Sequence, residues 1–97
     1  MHTKNQFEIS FDPFKNERNI AERGLSFELV HGFDFETALY WVDARKLYPE
    51  RRISALGRLG DRLHSLVFVE TEQGIRVISF RKANQREVKR YEQEAPT

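Results

Sequence analysis

Phe7, Ile9 and Phe11 alternate with Glu8 and Ser10, the period of a half-buried strand. Asp12-Pro13 then stops the strand and opens a helix. Aspartate caps free N–H groups, and proline fits the first helical position. The helix runs to about Arg23, where Gly24 accepts the left-handed conformation that closes a last turn. Ser26 can cap a second helix, with Leu25 and Val30 spaced as a hydrophobic staple. Phe27, Val30 and His31 share its face, and it ends near Gly32 or Phe33.

The next segment, TALYWVDA, is rich in aromatic and β-branched residues and predicts a strand. A polar loop from Lys46 to Glu50 follows. Arg52 to Leu59 predicts another strand, turned by Gly60-Asp61. Leu63 to Glu70 holds the run Leu66-Val67-Phe68-Val69, as expected of a central strand covered on both faces. Gln73-Gly74 turns the chain into a strand from Ile75 to Phe80. Asn84 then caps a last helix, with Glu87 completing a capping box and Val88, Tyr91 and Ala95 as its apolar stripe. The order β-α-α-β-β-β-β-α predicts an α+β domain spanning residues 1–97: an antiparallel meander with helices on one face. The pattern leaves the place of the first strand in the sheet open.

Composition narrows the chemistry. The chain has no cysteine, so neither disulfides nor thiolate catalysis enter, and a cytoplasmic location is permitted. No apolar run is long enough to cross a membrane, and the first ten residues lack the apolar core of a signal peptide. His2, His31 and His64 fall on separate elements without ligand spacing, so neither a metal nor a cofactor is expected. His64 is expected at the rim of the sheet.

Net charge is only +1, but its distribution is lopsided. Residues 1–44 carry four Lys/Arg and eight Asp/Glu; residues 45–97 carry twelve and seven. The second half therefore points to a polyanion partner. Strict alternation along the last strand puts Ile75, Val77, Ser79 and Arg81 on one face and Arg76, Ile78, Phe80 and Lys82 on the other. An unpaired arginine is too costly to bury, so Arg81 is expected where the strand leaves the core. Arg86, Lys89 and Arg90 follow on the helix, and Arg52, Arg58 and Arg62 come from earlier strands. Guanidinium forks match phosphate oxygens, and a cluster of them can hold an RNA backbone. The competing reading is a solvated helix face paired with Glu87, Glu92 and Glu94.

The segments FDPFKNERNIAERGLSF, ALG and GIRVISFRKANQREVKRYE resemble the BrnT family of type II toxins, in order and over nearly the whole chain. The resemblance implies a RelE-like fold and a metal-independent ribonuclease that halts translation. It also implies a BrnA-type antitoxin whose ribbon-helix-helix part contacts operator DNA. Arg81 and Lys82 match the family's Arg-Lys, Glu87 and Tyr91 its C-terminal pair, and Asp12, Lys15 and Asn19 its opening motif. Arg52 occupies a strand position where the family often has arginine. Two features depart: Glu22-Arg23-Gly24 stands where many members have Lys-His-Gly, and the turn at 70–74 lacks a frequent arginine.

The implied reaction is attack of a ribose 2′-OH on the adjacent phosphate. Arg52 and Arg81 are expected to stabilise charge, with Lys82, Tyr91 and Glu87 left as alternatives for the base. Arg58, Arg62, Arg86, Lys89 and Arg90 are expected to bind RNA. A non-enzymatic binding module using the same basic face is the alternative. Either that face or the acidic first half, with Phe33, Phe35, Tyr40 and Trp41, can dock the antitoxin; those aromatics fit a core better. All these readings share one geometric demand: guanidinium groups from separate strands must meet on one surface beside the last helix.

Overall fold

The computed structural model describes residues 7–95. The elements are β1 (Glu8–Ser10), α1 (Pro13–Arg23), a 3₁₀ helix (Phe27–Gly32), β2 (Leu39–Val42), β3 (Ile53–Leu59), β4 (Arg62–Glu70), β5 (Gly74–Lys82) and α2 (Gln85–Glu94). This is the predicted α+β order.

Local chemistry sets the helix ends. The Asp12 carboxylate accepts the Phe14 N–H at 2.9 Å, and Gly24 closes α1 at φ +69°. At α2, Asn84 accepts the Glu87 N–H at 2.8 Å while Glu87 accepts the Asn84 N–H at 2.9 Å, completing the capping box. The second helix is 3₁₀ rather than α. Three residues per turn bring Phe27, Val30 and the following Phe33 into the core. His31, expected beside them, is exposed.

The five strands form one sheet in the order β1-β5-β4-β3-β2. β2 to β5 are the antiparallel meander, and β1 joins the far edge parallel to β5. That pairing brings the Glu8 backbone so close that a Cβ on Gly74 would overlap its carbonyl oxygen. Beyond β1, α1 takes over the edge of β5. The buried Asn19 amide donates to the carbonyls of Leu25 and Phe80, both at 2.9 Å. Asn16 accepts the Phe27 N–H at 2.7 Å, tying α1 to the 3₁₀ helix.

Three expectations need correction. First, strict alternation fails in β5. Val67 pairs with Ser79 but Phe68 pairs with Val77, so Ile78 is an extra residue, a β-bulge. The bulge shifts the phase by one. Ile75, Val77 and Phe80 share the core face, and Arg76, Ser79 and Arg81 share the opposite one. Second, the helices do not all cover one face. The main core gathers Phe27, Val30 and Phe33 with Ala55, Leu66, Phe68, Val77 and Phe80. A smaller cluster of Leu56, Leu63, Ala83 and Tyr91 sits on the other face under α2, with Trp41 and Val88 against it. Burying a side chain such as Phe80 or Leu56 contributes about 1.5–3 kcal/mol, so both faces add to stability.

His64 is a third correction. It is a core residue rather than a rim one, 3% exposed and stacked on Phe80 at 5.2 Å.

Candidate functional site

Because α2 covers only one end of the second face, the middle of the sheet floors a cleft, at the bottom of which Ser54, Ser65 and Val67 are 7–8% exposed. Trp41, Ser54, Val67 and Ser79 align across four strands, and Ser65 and Arg81 stand in the next row. These residues floor a cleft of about 510 Å³ walled by Asp43, Arg45 and Glu87. A second depression, bordered by Lys46, Tyr48 and Arg52, shares Arg45, Val67 and Ser79 with the first. The two form one continuous surface whose shared floor is Val67 and Ser79, with Ser54 and Ser65 beside them on the side of the first.

Two forked ion pairs face this cleft. The Arg81 guanidinium donates from Nη1 and Nη2 to the two Glu87 oxygens, each at 2.9 Å. The Arg45 Nε and Nη2 donate to the two Asp43 oxygens at 2.9 and 2.8 Å. The hydrogen bonds from Arg81 hold Glu87 below the usual carboxylate range, against partial burial. Those from Arg45 do the same for Asp43, whose side chain is 2% exposed. Both carboxylates are therefore ionised at neutral pH. The Arg45 charge acts against that of Arg81, which places the two guanidinium groups within each other's field. Such a surface can bind a phosphodiester by exchanging a carboxylate for phosphate oxygens on one fork.

Arg52 opens onto the same surface, with its guanidinium 4.0 Å from the Tyr48 ring centroid. Its Nε is the one buried side-chain donor without a partner among the described residues. Arg52 and Arg81 lie four residues apart along the strands and two strands apart. Their Cα atoms are separated by about 13 Å in one direction and about 10 Å in the other. That spacing suits neighbouring phosphates better than one shared phosphate. Glu87 is the one of the three base candidates in the cleft wall. Lys82 pairs with His64 and alternates onto the face opposite Arg81. The buried Tyr91 donates its hydroxyl proton to the Thr37 carbonyl at 2.9 Å.

The remaining basic residues divide. Arg58 stands over the Tyr91 ring at 5.7 Å. Arg90 lies over Trp41 at 4.1 Å, beside the cleft. Arg86 and Lys89 are exposed on α2, and Arg62 is exposed on the core-facing side of its strand. Among the aromatics, Phe33 is core, Phe35 and Trp41 pack against the larger and smaller core clusters, and Phe35, Tyr40 and Trp41 also line an apolar groove of about 700 Å³ that extends to Phe7 and Ile75. Among the described residues, no three His, Asp or Glu side chains gather as a metal site. Among the same residues, no helix is long and apolar enough to cross a membrane.

Sequence reasoning missed Asp43, Arg45 and the floor of Ser54 and Ser65. A signal exists for both. Asp-x-Arg directly after an edge strand allows a forked pair within one turn. A serine facing the same side in each of three adjacent strands, Ser54, Ser65 and Ser79, marks a face that α2 does not cover.

Residues 11–87 match a family profile described as ribonuclease toxin, BrnT, of type II toxin-antitoxin system. No curated protein was found to match the chain. The matched span runs from the cap of α1 to Glu87 and takes in Asp43, Arg45, Arg52 and Arg81, so every charged group of the cleft lies inside it. The chain belongs to the BrnT family, the ribonuclease toxins of type II toxin–antitoxin systems.

Proposed function

We propose that this toxin is a metal-independent endoribonuclease that halts translation in the cytoplasm, and that the open sheet face holds its RNA. The observation that carries the reading is the pair of guanidinium forks, Arg81 and Arg45, set on one serine-floored cleft. An incoming phosphate takes the Arg81 fork from Glu87. The released carboxylate loses the contact that weakens it as a base and accepts the 2′-OH proton. The 2′ oxygen bonds to phosphorus, the P–O5′ bond breaks, and the departing 5′ oxygen takes a proton from water. The products are a 2′,3′-cyclic phosphate and a 5′-OH. Arg81 and Arg45 stabilise the charge on the pentavalent phosphate, and Arg52 holds a neighbouring phosphate.

A type II toxin has an antitoxin partner. We assign it to the BrnA type, with a ribbon-helix-helix part that reaches operator DNA, so the toxin meets DNA only through it. A short ribbon-helix-helix reading frame directly downstream is the expected arrangement.

The decisive assay incubates purified toxin with RNA in EDTA. Cleavage with cyclic-phosphate ends, lost in a folded Arg81→Ala variant, is expected. RNA that is bound in a salt-sensitive way yet stays intact would overturn the enzymatic reading and leave a binding module.

A further inference from the structure

Two arginines on the open face are laid on aromatic rings instead of being locked into close carboxylate pairs. Arg90 covers Trp41 at 4.1 Å and has only a 3.4 Å contact to Glu94. Arg52 covers Tyr48 at 4.0 Å and keeps its Nε unpartnered. Trp41 borders the cleft that holds Arg81, and Tyr48 borders the depression beside it. The cleft floor carries Ser54, Ser65 and Ser79; the first two are each 7% exposed and Ser79 is half-buried.

A guanidinium plane on a ring leaves its second flat face outward. A nucleobase can stack on that face, or take the ring itself once the arginine swings to a phosphate. Either step needs a base with a free face. Bases inside a duplex have none, since each face is covered by its neighbours. From this we infer that the open face is a site for unstacked bases of single-stranded RNA, with Trp41–Arg90 and Tyr48–Arg52 as its stacking platforms. The inference rests on the ribonuclease reading of the same face and narrows its substrate to unpaired strands.

Trp41 is the chain's only tryptophan, so its emission reports on one platform directly. The probe is a 2′-O-methyl oligoribonucleotide, which lacks the attacking hydroxyl and is not cut. The single strand is expected to quench Trp41 saturably, and a duplex of the same sequence is not. With a dye-labelled oligonucleotide, Trp41→Leu and Tyr48→Leu should each weaken binding about 5- to 150-fold, the loss of one base stack. Trp41→Phe should retain most of the affinity. The proposal fails if the single strand binds without changing Trp41 emission, if a duplex quenches equally, or if folded Tyr48→Leu binds as the parent does. Cleavage of unmodified RNA is read separately. Quenching without any cleavage sinks the ribonuclease reading and keeps the base site; cleavage with a silent Trp41 does the reverse.

Discussion

Removing the Arg81 guanidinium should separate catalysis from folding. The Arg81–Glu87 pair is forked and charge-assisted, but its side chains are 35% and 20% exposed. Solvent screening limits its net contribution to about 1 kcal/mol. In Arg81→Ala, Glu87 still accepts the Asn84 N–H, so the start of α2 stays capped. The melting temperature should therefore fall by only about 5 °C. The effect on rate is much larger. Loss of one donor to a developing oxyanion typically costs 10²–10³ in rate. The orphaned Glu87 also adds a bare negative charge to the cleft and weakens RNA binding.

The pair gives three distinguishable variants. Arg81→Lys keeps the charge without the fork and should cleave at an intermediate rate. Arg81→Ala combined with Glu87→Gln should recover RNA affinity but not turnover. Glu87→Gln alone keeps the helix cap through its amide oxygen and removes the base, so binding persists while cleavage falls. Purified protein, labelled RNA in EDTA and a melting curve suffice for all of them. A folded Arg81→Ala enzyme within about tenfold of the parent rate would refute the assignment, since it falls outside the range for a lost donor.

Other consequences follow from single contacts. Asn19→Leu leaves the Leu25 and Phe80 carbonyls without a donor; a loss of about 2–4 kcal/mol is expected in denaturant unfolding. Burial lowers the pKa of His64 below 6.5, so the unfolded chain takes up the proton first. Stability should decline as pH falls below 6.5, and His64→Gln should flatten that slope in melts from pH 7.5 to 5.5. Glu87 acts in the same direction at lower pH: its depressed pKa adds stability that is present above its ordinary 4.5 and lost as pH falls through the folded value. Melts of Glu87→Gln should show a shallower loss on acidification from that point. Gly74→Ala should push β1 off the sheet, read as faster amide exchange at Ser10.

What could be read from the sequence was whatever depends on neighbours in the chain. Asp12-Pro13, Gly24, Ser26 and the Asn84–Glu87 box mark helix ends because capping uses groups within three or four residues. Non-local pairing was not legible. Nothing in Phe7 to Phe11 says that β1 will lie parallel to β5, since its pairing partner, beginning at Gly74, comes from the far part of the chain. The bulge at Ile78 exists only as a mismatch between β4 and β5, so no count along β5 alone finds it. That missed phase placed Arg81 with Ile75 and Val77 when its true companions are Arg76 and Ser79. The site was legible to the same depth. Arg81 at a strand end was a fair expectation; its meeting with Arg45, from a loop nearly forty residues earlier, required the sheet.

The segment from Arg81 to Glu87 gains a physical meaning from this geometry. Its residues serve the fold and the cleft at once. Asn84 caps α2, and Glu87 completes that cap with the same Oε1 that also accepts from Arg81. The helix start and the pose of the guanidinium are thus one hydrogen-bonded unit. The bulge fixes that unit's place: without Ile78, the residue at Arg81 would point into the main core, and no partner at Glu87 could reach it. The open face exists for a related reason. α2 leaves the sheet over Leu56 and Leu63, at one end, because Ala83 and Tyr91 dock there. A longer return would have laid the helix across Ser54 and Ser79. Strand phase, helix start and helix docking together leave Arg81 and Arg52 at a cleft that α2 does not cover, beside the junction of β5 and α2.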